Sequence, residues 1–182
     1  MSHFEYISVF VSIILALGVA RLLDGIGPAF RSDGRSLVLI GWMIQKFLNI
    51  VLWWWILWAG LNVEWNLGLF VYEMVVPIVL YLQCKALTTP SSTSPDDWGA
   101  RFEEIRAIFF VGNLVLVTSV LMVPILFPTV QMMTSSVPAL ILLLVIAVVG
   151  IASPHPRVQG VLITIALAIQ LLGLGSAMFV VD

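Results

Sequence analysis

The stretch LIGWMIQKFLNIVLWWWILW, residues 39–58, is apolar enough to cross a bilayer, yet it carries Gln45, Lys46 and Asn49 near its middle. A hydrocarbon core about 30 Å thick takes about 20 apolar residues of helix to span. A lysine at the centre of such a span costs about 2.5–3.5 kcal/mol on insertion scales, so it faces protein or water rather than lipid. The segment therefore implies both a membrane span and a polar place among several spans.

The rest of the chain agrees with the first implication. It is 61% hydrophobic and 10% charged, with a mean hydropathy of +1.11, far from the roughly quarter-charged composition of a soluble domain. Apolar runs of spanning length occur at about 4–23, 36–60, 68–87, 105–127, 137–153 and 158–181. Connections are short, and only TTPSSTSPDDWGARFEE (88–104) has any length. The expected fold is an all-α membrane protein, a single six-transmembrane-helix bundle covering residues 1–182. MSHFEYISVF has no Lys or Arg, so the first span is expected to stay rather than be cleaved as a signal peptide. The single cysteine, Cys84, excludes an intrachain disulfide and a thiolate metal cluster. A net charge of −2 with no basic cluster argues against nucleic acid as a partner.

Basic residues indicate orientation, because Lys and Arg are retained on the cytoplasmic side. Arg21, Arg31 and Arg35 fall at the first connection, Lys85, Arg101 and Arg106 at the third and Arg157 at the fifth. Both termini are expected outside. Trp54, Trp55, Trp58 and Trp65 then cluster at the outer interface, which suits amphipathic indoles. On the other side, SPDDWGARFEEIRAIFF looks like a helix start with Ser94 as N-cap, Pro95 in the first turn and Asp96 and Asp97 at the positive dipole end. Its Trp98, Phe102 and Phe109 are expected partly in the interface.

Ser8, Ser12, Ala16 and Ala20 recur every four residues and predict a helix-packing face, with Glu5 at its outer rim. Gly173 and Ala177 offer the same spacing in the last span. The openings FEYISVF and FEEIRAI align at Phe4/Phe102, Glu5/Glu103 and Ile7/Ile105, three spans apart. An odd number of spans would invert the second copy, giving an inverted 3+3 repeat of the kind transporters use. The opening HFEYISVFVSIILALGVARLLDG also resembles that of uncharacterised small bacterial integral membrane proteins with an FEY-type first helix. The resemblance covers one helix and implies a bacterial inner-membrane location.

Two ionisable residues lie at depth, Lys46 and Glu73. At 1.5 Å per residue, Lys46 sits roughly 3 Å to the cytoplasmic side of its span's midpoint and Glu73 roughly 6 Å to the outer side. A direct ion pair would have to bridge about 9 Å of height, so a water-bridged one is easier. Pro77 removes the helical partner of the Glu73 carbonyl and predicts a kink there. Gln45, Asn49, Asn113 and Gln170 come within about 5 Å of the midplane, and Trp42, Lys46, Asn49 and Trp53 share one helix face. The expected substrate or ion site is thus Lys46, Gln45, Asn49, Asn113 and Gln170, with Glu73 as an outer gate.

His3 and His155 are placed on opposite membrane faces, and no catalytic constellation or glycine-rich phosphate loop is present. An enzyme is not expected, nor a cofactor or metal. Two functions stay open. One is transport of a small solute or ion through the polar layer. The other is a non-transporting membrane subunit or scaffold whose polar residues are structural. The bilayer is the expected partner, with a second copy or another membrane protein packing against the small-residue stripe.

Overall fold

The computed structural model describes residues 3–31, 36–57, 65–89, 97–127 and 137–178. These residues form helices only: α1 His3–Arg31, α2 Leu37–Leu57, α3 Leu67–Glu73, α4 Val75–Thr88, α5 Trp98–Leu126, α6 Val137–Ala152 and α7 Pro156–Met178. The helices α3 and α4 make one path broken at Met74, and Leu67–Thr88 counts as a single span of 22 residues. Five helices are long and apolar enough to cross a membrane. Helix α6 has 16 residues, roughly 24 Å at 1.5 Å each, short for a core of about 30 Å.

Two helices extend well beyond the apolar runs that mark them, 4–23 and 105–127. The run GIGPAF in α1 has the glycines and proline of a helix stop, yet α1 continues through Pro28 to Arg31. Packing outweighs local propensity here, since Ala29 is fully buried and Gly25 lies against Thr88 of α4, where an added Cβ would come within 2.5 Å of its Cγ2. Helix α5 starts at Trp98, ahead of the apolar run at 105 and close to the helix start expected after Ser94, and its N-cap is Asp97, whose carboxylate accepts from the Gly99 and Ala100 amides at 2.9 and 3.0 Å. The expected cap Ser94, with Pro95 and Asp96, lies outside the described residues. Trp98, Phe102 and Phe109 are buried in the core rather than at an interface, because the first turns of α5 pack into the other helices. The kink at Pro77 is present as the break at Met74, one residue beyond Glu73.

Helix α2 is the hub: it touches α1, α4, α5 and α7. The most extensive pairing is α1 with α4, followed by α5 with α6. The seam of α1 runs through Phe4, Ile7, Val11, Leu15, Gly18, Leu22, Gly25 and Ala29, each buried at three- or four-residue spacing. The expected packing stripe sits one step round the helix. Ala16 and Ala20 are exposed, and Ser8 and Ser12 are half-buried at its edge. Glycine rather than alanine or serine lets neighbours close in: Gly25 lies against Thr88 of α4, and a Cβ at Gly18 would lie 3.3 Å from Ile50 Cδ1 of α2 and 3.8 Å from the Tyr81 Cα of α4. Ser12 instead accepts a hydrogen bond of 3.0 Å from the Trp54 indole.

An inverted repeat would pair α5 with α7 as α1 pairs with α4. Among the described residues α5 and α7 share no substantial contact, so the halves pack differently. Phe4 and Ile7 are buried like Phe102 and Ile105, which the three-residue helical spacing explains without duplication.

The burial pattern is the reverse of that in water. Tyr6, Leu23, Ile108 and Leu172 are exposed on the outside, whereas Lys46, Gln45, Gln83, Gln159 and Gln170 are buried within. An apolar exterior around a polar interior suits lipid as the solvent.

Candidate functional site

Helix α2 puts Trp42, Gln45, Lys46 and Asn49 on the side facing α5, α6 and α7, and there Lys46 is 1% exposed. Its ammonium donates to Asn113 Oδ1 of α5 at 2.6 Å. An ammonium has three donors and no acceptor, so Asn113 must turn its oxygen inward. The same oxygen accepts from Gln83 Nε2 of α4 at 3.0 Å, and Gln83 also donates to the Phe109 carbonyl at 2.8 Å. This crossing requires glycine at 112, since a Cβ there would lie 2.7 Å from Gln83 Nε2. One acceptor thus gathers three helices, α2, α4 and α5.

The lysine has a second form of support. Its Nζ lies 5.2 Å from the centre of the Phe109 ring, within the range of a cation–π contact. Trp42, Phe109 and Phe110 form a mutual edge-to-face cluster with ring centres 5.2 to 5.3 Å apart. Among the described residues no carboxylate lies within ion-pair distance of Lys46. A buried cation held only by a neutral amide and a ring face keeps unused hydrogen-bonding capacity.

That capacity has somewhere to go. A cavity of about 40 Å³ lies beside Lys46, lined by polar Gln45, Asn49 and Asn113, by Trp42, and by apolar side chains including Leu143 and Ala166. At 10–15 Å³ per water it holds about three molecules. Two polar atoms of its lining residues, Trp42 Nε1 and Gln45 Oε1, are buried with no hydrogen-bond partner. Buried polar groups are normally satisfied, and exceptions in native proteins call for a ligand, a water or an ion.

Of the expected site residues, Lys46, Gln45, Asn49 and Asn113 line one cavity. Gln170 stands behind it, its Oε1 accepting from Gln45 Nε2 at 3.5 Å and its Nε2 donating to the Leu48 carbonyl at 3.4 Å. Glu73 does not join them. Its neighbour Tyr72 donates to the Ser119 carbonyl, six residues along α5 from Asn113 and hence roughly 9 Å away in height. Gln83 was not expected: its position on its own span is roughly 8 Å from the midpoint, and only the reach of the glutamine side chain brings it to Asn113. No sequence pattern marks the apolar walls.

Below the cavity, α5 carries two clamps. Arg101 donates through Nε and Nη2 to the Ala86 carbonyl near the end of α4, at 3.1 and 2.8 Å. Arg106 donates to the Gly150 and Ile151 carbonyls near the end of α6, at 2.7 and 2.6 Å. Gln159 of α7 adds bonds to Gly150 and Ser153. The last carbonyls of a helix lack partners of their own and carry partial negative charge, so a guanidinium meets both needs. His155 is exposed in the α6–α7 turn and accepts from the Arg157 amide.

Comparison with protein-family models, curated proteins and solved structures finds no match to this chain.

Proposed function

We propose that this chain is a small membrane transport protein that passes a small solute or ion through the polar site centred on Lys46. In this reading all six apolar segments cross the bacterial inner membrane as one bundle, with both termini outside. Arg101 and Arg106 then sit at the cytoplasmic end, and Glu73, at the α3–α4 break, stands toward the outer face as a gate.

The observation that carries the reading is the cavity beside a buried lysine that has no carboxylate partner among the described residues. A purely structural layer favours closed, fully bonded groups, because each orphaned polar atom costs about 1–3 kcal/mol. Here Trp42 Nε1 and Gln45 Oε1 are left orphaned and space is left open beside them. Orphaned atoms also occur outside the lining, at Gln83, Gln159, Trp53 and Arg106, so it is the open space beside Lys46 that weighs against a non-transporting subunit whose polar residues only tie helices together.

The test is reconstitution of the purified protein into liposomes and measurement of flux for a panel of small ions and neutral solutes. Flux above protein-free vesicles is expected, lost in Lys46→Met and also in Ala166→Leu, which fills the cavity without touching the charge. Transport of nothing in the panel, or equal transport by both variants, overturns the proposal.

A further inference from the structure

We infer that the ligand of this site is a small monovalent inorganic anion of the halide or nitrate class; the inference rests on reading the Lys46 cavity as the passage. Three observations converge on it. The first is charge. Lys46 is the buried ionisable group of the cavity, and no carboxylate among the described residues lies close enough to neutralise it. An anion bound beside a protonated Lys46 makes a neutral pair, which removes the main cost of holding either charge away from water.

The second is the balance of donors and acceptors. Of the three ammonium protons one goes to Asn113, leaving two for a ligand, and the Trp42 indole N–H has no partner. Asn113 Oδ1, the acceptor nearest the ammonium, is already taken by Lys46 and Gln83 together, so it presents no free lone-pair demand to the cavity. Gln45 Oε1 is the one orphaned acceptor in the lining. Turning that amide over together with that of Gln170 would present the Gln45 NH₂ to the cavity and its oxygen to Gln170 Nε2, at the loss of the 3.4 Å bond from Gln170 to the Leu48 carbonyl. Asn49 has an amide of its own in the lining to offer.

The third is size. A cavity of about 40 Å³ admits about three waters, or one anion of a single heavy atom or a few, and excludes sugars and amino acids. Leu116, Val117, Leu143 and Ile146 line it as well, so a partly dehydrated anion meets N–H groups and hydrocarbon with no fixed negative charge. A doubly charged anion such as sulfate would bring a second charge that the lining does not balance.

The experiment separates this inference from the transport reading beneath it. Binding of chloride, bromide, nitrate and sulfate to the full chain in detergent is measured by calorimetry and thermal shift, using potassium as the common cation and gluconate as the inert anion. Anion flux is measured separately in liposomes. Saturable binding of the monovalent anions but not sulfate is expected, weakened about 30-fold or more in Lys46→Met and less in Trp42→Phe, with binding retained in Lys46→Arg. Absence of saturable anion binding to the native chain overturns the inference, as does equal binding by Lys46→Met. Flux of a cation or neutral solute that persists unchanged in gluconate sinks the anion and leaves the transport reading standing. Saturable anion binding with no flux does the opposite.

Discussion

The seam between α1 and α4 and the layer between α2 and α5 solve the problem of holding helices together in opposite ways. The first is apolar and close, with Gly18 and Gly25 letting the helices approach and every seam residue from Phe4 to Ala29 buried. The second is polar and loose, with one lysine, one asparagine and one glutamine sharing an oxygen beside an open cavity. Where lipid is the solvent, adhesion comes from van der Waals contact at small residues, and buried amides add only about 0.6 kcal/mol each. The α1–α4 seam is therefore the part suited to stability. The α2–α5 layer leaves buried polar atoms of Trp42, Gln45 and Gln83 unpaired, which costs stability.

That contrast can be broken by substitution, and the largest effect is expected on the dry side. Gly25→Leu drives a side chain into Thr88, where even a Cβ has no room, and should cost about 3 kcal/mol, at the upper end for overpacking. Thermal or denaturant unfolding in detergent reads this directly, and an unchanged midpoint would mean that the seam does not hold α1. Lys46→Met should do far less to the fold. Replacing a buried charge by an apolar side chain of similar length is often neutral or stabilising, and Asn113 Oδ1 keeps its bond from Gln83. A change within about 1 kcal/mol of the native chain, or a gain, is expected in the same unfolding measurement, together with loss of flux. A large destabilisation would instead make the lysine a structural pin and erase the distinction between the two regions. The smallest effect belongs to Ala16→Leu, on the exposed stripe, which should shift unfolding of the isolated chain by no more than about 0.5 kcal/mol.

The sequence reading was strongest where a single period or a single depth governs the outcome. Five of the six expected spans follow from length and hydropathy, and the mid-depth ruler picked out Lys46, Gln45, Asn49 and Asn113 because heights along straight helices translate directly into neighbours. It was weaker where azimuth matters. The stripe Ser8, Ser12, Ala16, Ala20 and the seam Ile7, Val11, Leu15, Leu22 are nearly adjacent on one helix, and composition alone does not say which turns inward. It also missed side chains that act at a distance from their own Cα, such as Gln83 reaching along α4 and Arg106 reaching the end of α6. Helix ends were obscured for a related reason. The apolar run of the first span ends at about residue 23, but contact with a helix formed much later in the chain carries α1 on through Gly25 and Pro28.

Arg106 has a consequence for the order in which the protein is made. Its Nη1 donates to carbonyls 44 and 45 residues further along the chain, so these bonds form only once α6 has been added to α5. Until α6 arrives, the partner α5 itself offers this cation is Glu103, one turn back at 3.7 Å and half exposed. The later helix thus finishes the earlier one, and the clamp closes as a latch late in assembly.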